Sequence, residues 1–400
     1  MGNVTDDLRT RFDTFDDDAF NEVDSLVLSQ LAYARMPGNV PRWHGGGGGV
    51  PDHGIHVGDR ACGETGRRSL IPMVPIRDLL RAECYDAMFG RVWSPQLNVD
   101  LLRAMCESPR WRALRVGGYV DEFDAASTKQ FSACVFDVGE GTLYVAFRGT
   151  DSSIIGWKED FAMAFRRPVA SQSAAVRYLA DAAARWDGPL MVGGHSKGGN
   201  LAVYAAAAMP DDIAARIAAV YSHDGPGFDE SFLESTEYRR VAGKVRKSVP
   251  ESSVIGMLFE NRERADAGYE VVASDGLGIM QHFALNWQVK DGRFVHADGL
   301  SGGARYAART LNDWMARYDD DRRRLFIENL FAILEASGYR TFGELTAHWT
   351  QSLPAMLAAL RGIDAEDREV IAAVLKGLAA TAATAAIPGA GPGESASRRR

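Results

Sequence analysis

The chain has 400 residues, 46% hydrophobic and 24% charged, which is enough apolar material to bury a large core and leave room for an extension. Its formal net charge of −8 offers no basic surplus for nucleic acid, and residues 398–400 read as a solvated basic tail. The four cysteines (Cys62, Cys84, Cys106, Cys134) are scattered with no C-x-x-C spacing, so free thiols, no metal and a cytoplasmic location are expected.

The start, Met1-Gly2-Asn3-Val4-Thr5-Asp6-Asp7, is polar and acidic and does not read as a signal peptide; residues 1–19 are expected to be loose. From Phe20 a helix is predicted, because Val23, Leu26, Val27 and Leu31 share one face. Residues 37–70, with Gly45 to Gly49, Pro51, Gly54 and Gly58, read as a long loop or insertion. His44, His53 and His56 lie in it, and no carboxylate or thiol pattern joins them in a metal site. Residues 76–107 are expected to be helical, on the periodicity of Ile76, Leu79, Leu80 and Cys84, then Leu101, Leu102 and Met105.

A hairpin follows, with strands at 131–136 and 142–147 around Gly139-Glu140-Gly141. Its second strand runs into Arg148-Gly149-Thr150-Asp151. Residues 152–168 mix apolar and charged side chains; a lid or substrate-facing helix and a plain core helix are both open readings there. After a helix at 171–186, Leu190-Met191-Val192 meets Gly193-Gly194-His195-Ser196-Lys197-Gly198-Gly199, and the helical pattern Leu201, Tyr204, Ala205, Ala208 starts at once. This is a strand, a sharp turn and a helix with Ser196 at the tip. Strands are expected at 217–221, 245–249 and 269–273, and a last hairpin at 287–295 around Asp291-Gly292. Strands alternating with helices predict a mostly parallel sheet covered on both faces over residues 20–300. Helical patterns continue over 304–387 as a C-terminal extension, and 388–400 read as disordered. The stretch 370–387 is interrupted by Lys376, so no stable membrane span is expected.

The chemistry converges on Ser196. Gly194-His195-Ser196-Lys197-Gly198 fits G-x-S-x-G, a turn that lifts a serine hydroxyl above a sheet and points a helix N-terminus at it. A serine hydroxyl needs a base, and the base an orienting acid. In α/β-hydrolases those partners follow in the order serine, acid, histidine. His282 fits that order better than His223, His296 or His348. For the acid, Asp224 stands at a strand end before Gly225-Pro226-Gly227; Glu251 is the rival at the next strand end, and Asp275 the third candidate. Oxyanion donors are expected from the backbone N–H of Lys197 and from Thr150, which can offer its N–H and its hydroxyl. Arg148 is expected to tie down that loop. The order G-x-x-x-x-G-K-[ST] of phosphate-binding loops is absent.

Phe147-Arg148-Gly149-Thr150-Asp151-Ser152-Ser153 with Trp157, followed by Gly193-Gly194-His195-Ser196 and Gly198-Gly199, resembles the class three lipases. More closely, residues 20–290 resemble a bacterial group of lipase-like proteins catalogued as a domain of unknown function. The stretches that carry this are Asn21-Glu22-Val23-Asp24, Gly156-Trp157-Lys158-Glu159-Asp160-Phe161, His195-Ser196-Lys197-Gly198-Gly199-Asn200, Asp224-Gly225-Pro226-Gly227-Phe228 and Ser253-Val254-Ile255-Gly256-Met257-Leu258. The resemblance implies an α/β-hydrolase fold, Ser196 as nucleophile, Thr150 as oxyanion donor and His282 as the late histidine. It implies a serine esterase or lipase that needs no cofactor and acts on small-molecule or lipid esters. Two departures stand out. Class three lipases carry an aspartate where this chain reads Pro250-Glu251-Ser252-Ser253-Val254, whereas Asp224 resembles the acid placement of pancreatic-type lipases. Lys197 replaces the usual apolar residue after the nucleophile, with a charge that either favours acidic or phosphorylated substrates or pairs with a nearby carboxylate. A hydrolase-fold binding or scaffold protein without turnover is the alternative reading.

Overall fold

The centre of the computed structural model is an eight-stranded sheet whose strands lie side by side in chain order, from Met73–Pro75 at one edge to Tyr269–Val272 at the other. The structure describes residues 2–43, 70–124, 128–151, 154–163, 166–259, 268–341, 344–345, 348–363, 365 and 367–368. His44, His53, His56, Cys62 and the tail 388–400 lie outside them. In chain order the elements are β1 (Gly2–Asn3), α1 (Val4–Thr10), α2 (Glu22–Leu31), β2 (Met73–Pro75), α3 (Tyr85–Phe89), α4 (Pro95–Glu107), β3 (Arg115–Asp124), β4 (Lys129–Asp137) and β5 (Leu143–Phe147). Then come α5 (Ile154–Ala162), α6 (Ala170–Arg185), β6 (Leu190–His195), α7 (Lys197–Ala207), α8 (Asp211–Arg216), β7 (Ile217–His223), α9 (Glu230–Leu233), α10 (Thr236–Ala242), β8 (Val245–Pro250) and β9 (Tyr269–Val272). The chain continues through β10 (Gln288–Lys290), β11 (Arg293–Phe294), α11 (Gly302–Arg317), α12 (Asp320–Glu335) and α13 (Trp349–Ala359).

Strands β5 to β9 run parallel, and β2, β3 and β4 join them by antiparallel pairing. The period-2 geometry of a strand sends alternate side chains to opposite faces. On β5, Tyr144 and Ala146 enter one core with α2 and α4, while Leu143, Val145 and Phe147 enter another with α6 and α7. Helices therefore cover both faces, as expected for an α/β-hydrolase. Helix α2 starts at Asn21, whose side chain caps it while Asp24 reaches back to the Asn21 N–H, and Val23, Leu26, Val27 and Leu31 are all buried.

Three local expectations need correction. The start of the chain is ordered: β1 pairs with β10, and α1 buries Val4 and Leu8 behind a capping box of Asn3 and Asp6. Its acidic composition hides a short amphipathic helix. The helical reading of 76–107 gives way to two 3₁₀ turns (Ile76–Leu79 and Ala82–Cys84), α3 and α4, with Ser94 in the left-handed region at φ 52 and Pro95 opening α4. Strands β2 and β3 were not expected. Gly117, Gly118 and four carboxylates or arginines obscure the alternation of β3, and its register shifts between Gly117 and Val120. The late hairpin is present, with Asp291 and Gly292 both at positive φ, as a tight right-twisted turn demands.

The chain divides into two compact units, Met1–Asp151 with Ile155–Asp320, and Ser152–Ile154 with Asp321–Arg400. The second contains most of α12, where Phe326, Ile327, Leu330, Phe331 and Leu334 are buried, and α13. Among the described residues no helix is long and apolar enough to cross a membrane.

Candidate active site

The turn between β6 and α7 is forced by crowding. Ser196 sits at φ 58, ψ −131, a conformation that costs an L-residue on the order of 1–3 kcal/mol. A Cβ on Gly194 would lie 2.3 Å from the carbonyl carbon of Gly198, and one on Gly198 would lie 2.1 Å from the Phe147 oxygen. Only glycine lets β5, β6 and α7 approach this closely. The Ser196 N–H donates to the His223 carbonyl at 2.8 Å, which holds the strained turn against β7.

The Ser196 hydroxyl lies 3.0 Å from His282 Nε2, and His282 Nδ1 lies 2.6 Å from Asp224 Oδ2. A carboxylate only accepts, so Nδ1 carries the proton and Nε2 presents its lone pair to the serine hydroxyl. Asp224 is completely buried. Its second oxygen accepts from Ser253 Oγ at 2.5 Å, and its backbone N–H donates to the Ser248 carbonyl on β8. The turn behind it is fastened by Asn200, whose amide donates to the carbonyls of Pro226 and Gly227. The other two acid candidates stand apart. The Glu251 backbone carbonyl accepts from the Ser301 N–H, and Asp275 Oδ1 accepts from Gln288. Neither carboxylate bonds to His282.

Around the serine, the first N–H groups of α7 have no partner within the helix, and that of Lys197 is the first of them. Thr150 is buried in the loop that follows β5, and its N–H meets no acceptor among the described residues. Its hydroxyl is already committed, donating to Asp160 Oδ2 at 2.5 Å. Of the two groups expected of Thr150, the hydroxyl is engaged by Asp160 and the N–H is left unpaired among the described residues. Arg148 does tie down the loop, through Asp121 on β3 at 3.1 Å.

The Lys197 side chain is fully buried. Its Nζ donates to Gln130 O at 3.0 Å and to Glu159 Oε2 at 3.1 Å, and lies 3.5 Å from Asp160. Burial alone would lower its pKa, but the Asp160 and Glu159 carboxylates outweigh that and raise it, so the ammonium stays charged. Burial pushes Asp160 up to about 6 despite the lysine. Glu159 also accepts from Ser171 N and Oγ and from Gln130 N. Of the two readings of this charge, pairing with carboxylates is the one present, and α5 is fastened by buried ionic contacts to the residue beside Ser196.

Two further histidines are buried here. His195 Nδ1 lies 2.9 Å from Tyr33 Oη, and its Nε2 lies 2.8 Å from the His282 carbonyl. His223 lies 2.9 Å from Ser25 Oγ and 2.8 Å from Ser248 Oγ. Burial drives each pKa down to about 3, so both rings are neutral. Tyr33 and Gln130 reach the site from distant positions with no motif of their own, while Glu159 and Ser253 lie in stretches that carry the family resemblance but have no role assigned from the sequence.

A family model described as Mbeg1-like matches residues 105–332, more than half of the chain. No curated protein matches the chain. Among solved structures, the native Rhizomucor miehei lipase propeptide complex is similar at 18% identity, over 60% of this chain and 79% of that one, with a TM-score of 0.33. Lipase II from Rhizopus niveus is similar at 15% identity, over 50% of this chain and 77% of that one, with a TM-score of 0.32.

Proposed function

The chain belongs to the Mbeg1-like family and has a lipase-like α/β-hydrolase fold, and from that premise we propose that it is a serine hydrolase of carboxylic esters, lipid esters included. The observation that carries the reading is the line of contacts from Ser196 Oγ through His282 to Asp224 Oδ2, at 3.0 and 2.6 Å.

In this reading His282 Nε2 takes the hydroxyl proton as Ser196 Oγ bonds to the ester carbonyl carbon. Asp224 steadies the imidazolium that forms. The carbonyl oxygen gains negative charge and is met by the N–H groups of Lys197 and Thr150, at the positive end of α7. Collapse breaks the bond to the alcohol oxygen, which leaves with the proton from His282, and the acyl group remains on Ser196. Water then repeats the sequence: His282 removes its proton, the oxygen attacks the acyl carbon, and Ser196 recovers its proton as the acid departs. No cofactor enters these steps.

Labelling of the folded full chain by a fluorophosphonate, with Ser196→Ala as the control, tests the nucleophile. Absence of labelling in the wild type would leave a binding protein without turnover as the better reading. A series of p-nitrophenyl esters from acetate to palmitate then reads the acyl preference.

A further inference from the structure

The turn that carries His282 lies outside the sheet, and side chains hold it by its carbonyls. Asn286 Nδ2 donates to Met280 O at 3.1 Å, Trp287 Nε1 to Gln281 O at 2.8 Å, and His195 Nε2 to His282 O at 2.8 Å. The first two donors come from just downstream on the same segment. His195 is different, because it is the residue before Ser196. Two adjacent residues of the nucleophile's own turn therefore grip His282, His195 at its carbonyl and Ser196 at its ring.

We propose that His195, aligned by Tyr33, is a positioning residue that sets the distance and angle of the His282 imidazole relative to Ser196. This rests on the reading of Ser196 and His282 as nucleophile and base. A carbonyl can only accept, so Nε2 of His195 must carry the proton. Nδ1 is then an acceptor and receives the hydrogen bond donated by the Tyr33 hydroxyl. One tautomer satisfies both contacts, and a neutral ring is required for it. Burial supplies that neutrality by holding the His195 pKa at about 3. Neutrality has a second use. The His195 and His282 rings are 4.7 Å apart, so a charged His195 would oppose the imidazolium expected on His282. Tyr33 in turn is lodged under the loop that leads to Thr150: a Cβ on Gly149 would lie 2.0 Å from its hydroxyl. One tyrosine on the segment after α2 thus touches both the oxyanion side and, through His195, the base side.

Three full-length variants test this. In His195→Gln the side-chain amide can still donate from near the Nε2 position, in His195→Leu it cannot, and in Tyr33→Phe the ring nitrogen loses its partner. His195→Leu should lower kcat on a p-nitrophenyl ester by on the order of 10- to 100-fold with KM nearly unchanged, the expected cost of a misplaced catalytic group. His195→Gln should recover most of the loss, and Tyr33→Phe should fall between. Equal losses in the glutamine and leucine variants, or losses that follow only the fraction of folded protein, would overturn the proposal, as would wild-type kcat in His195→Leu. A second readout needs no turnover. The low-field proton resonance of His282 Nδ1–H, held by Asp224, should persist in the glutamine variant and shift or broaden in the leucine variant. An unlabelled wild-type Ser196 would remove the hydrolase reading, while the resonance would still decide the positioning role: an unchanged signal in all three variants counts against it.

Discussion

Ser253 Oγ donates to Asp224 Oδ1 at 2.5 Å while His282 Nδ1 meets the other oxygen, so both oxygens of this fully buried carboxylate are satisfied by opposed partners. Gly256 makes the arrangement possible, since a Cβ there would lie 2.1 Å from Asp224 Oδ1. The carboxylate cannot turn without leaving one partner unpaired. Asp224→Asn should therefore lower kcat by about 10⁴-fold through the wrong histidine tautomer. Glu251→Gln, whose side chain makes no bond to His282, should cost far less. Ser253→Ala should cost about 1.5–3 kcal/mol of stability, the range for a hydrogen bond to a charged group, and less activity than Asp224→Asn. Steady-state kinetics on one ester together with urea unfolding separates the three variants; a Glu251→Gln loss as deep as that of Asp224→Asn would reassign the acid.

Ser196→Ala removes the hydroxyl and leaves the turn in a conformation alanine also finds strained. Hydrolysis should fall by on the order of 10⁴ to 10⁶ in kcat, with the circular dichroism spectrum unchanged. Near-normal turnover in this variant would exclude Ser196 as the nucleophile.

Lys197 gives a prediction about stability rather than chemistry. Replacing its buried ammonium by a similarly long apolar side chain, Lys197→Met, leaves Glu159 and Asp160 facing each other without their shared cation. Breaking a buried ion pair from one side costs about 3–5 kcal/mol. Adding Glu159→Gln should return part of that loss, because one of the two uncompensated charges disappears. Urea denaturation at neutral pH measures both; an additive loss in the double variant would contradict the coupling.

The elbow was legible in the sequence because glycine is demanded at fixed offsets from Ser196 by backbone atoms of Phe147 and Gly198, and a demand that local survives as a motif. The meeting of Asp224 and His282 was legible as chain order plus strand ends, although order alone left Glu251 open. Strand β3 was not legible, since its glycines and charged ends interrupt the period of two. The partners of Lys197 could not be read either. Glu159 and Gln130 are brought to it by α5 and β4, and nothing near Lys197 in the chain distinguishes a buried ammonium from one facing substrate. Tyr33 and His195 are separated by 162 residues, and their contact exists only once α2 packs on the sheet.

The buried neutral histidines predict how stability depends on pH. His223 has its pKa lowered by burial, and further by His195, from 6.5 to about 3, so the unfolded chain binds a proton there that the folded chain refuses. The sign follows: its contribution is full above pH 6.5 and is lost as pH falls towards about 3. Other groups act in the opposite direction. Asp160, raised to about 6, contributes stability at low pH that is lost as pH rises through that value, so the total profile mixes the two. A comparison with His223→Gln isolates the histidine, since glutamine keeps polar atoms near Ser25 and Ser248 but does not titrate. The stability difference between wild type and this variant should shrink by about 1.4 kcal/mol for each pH unit below 6.5, the value for one proton. Urea unfolding of both proteins at about pH 7, 6 and 5 measures it, and a difference that stays constant across that range would mean that His223 takes up a proton in the folded protein as readily as in the unfolded chain.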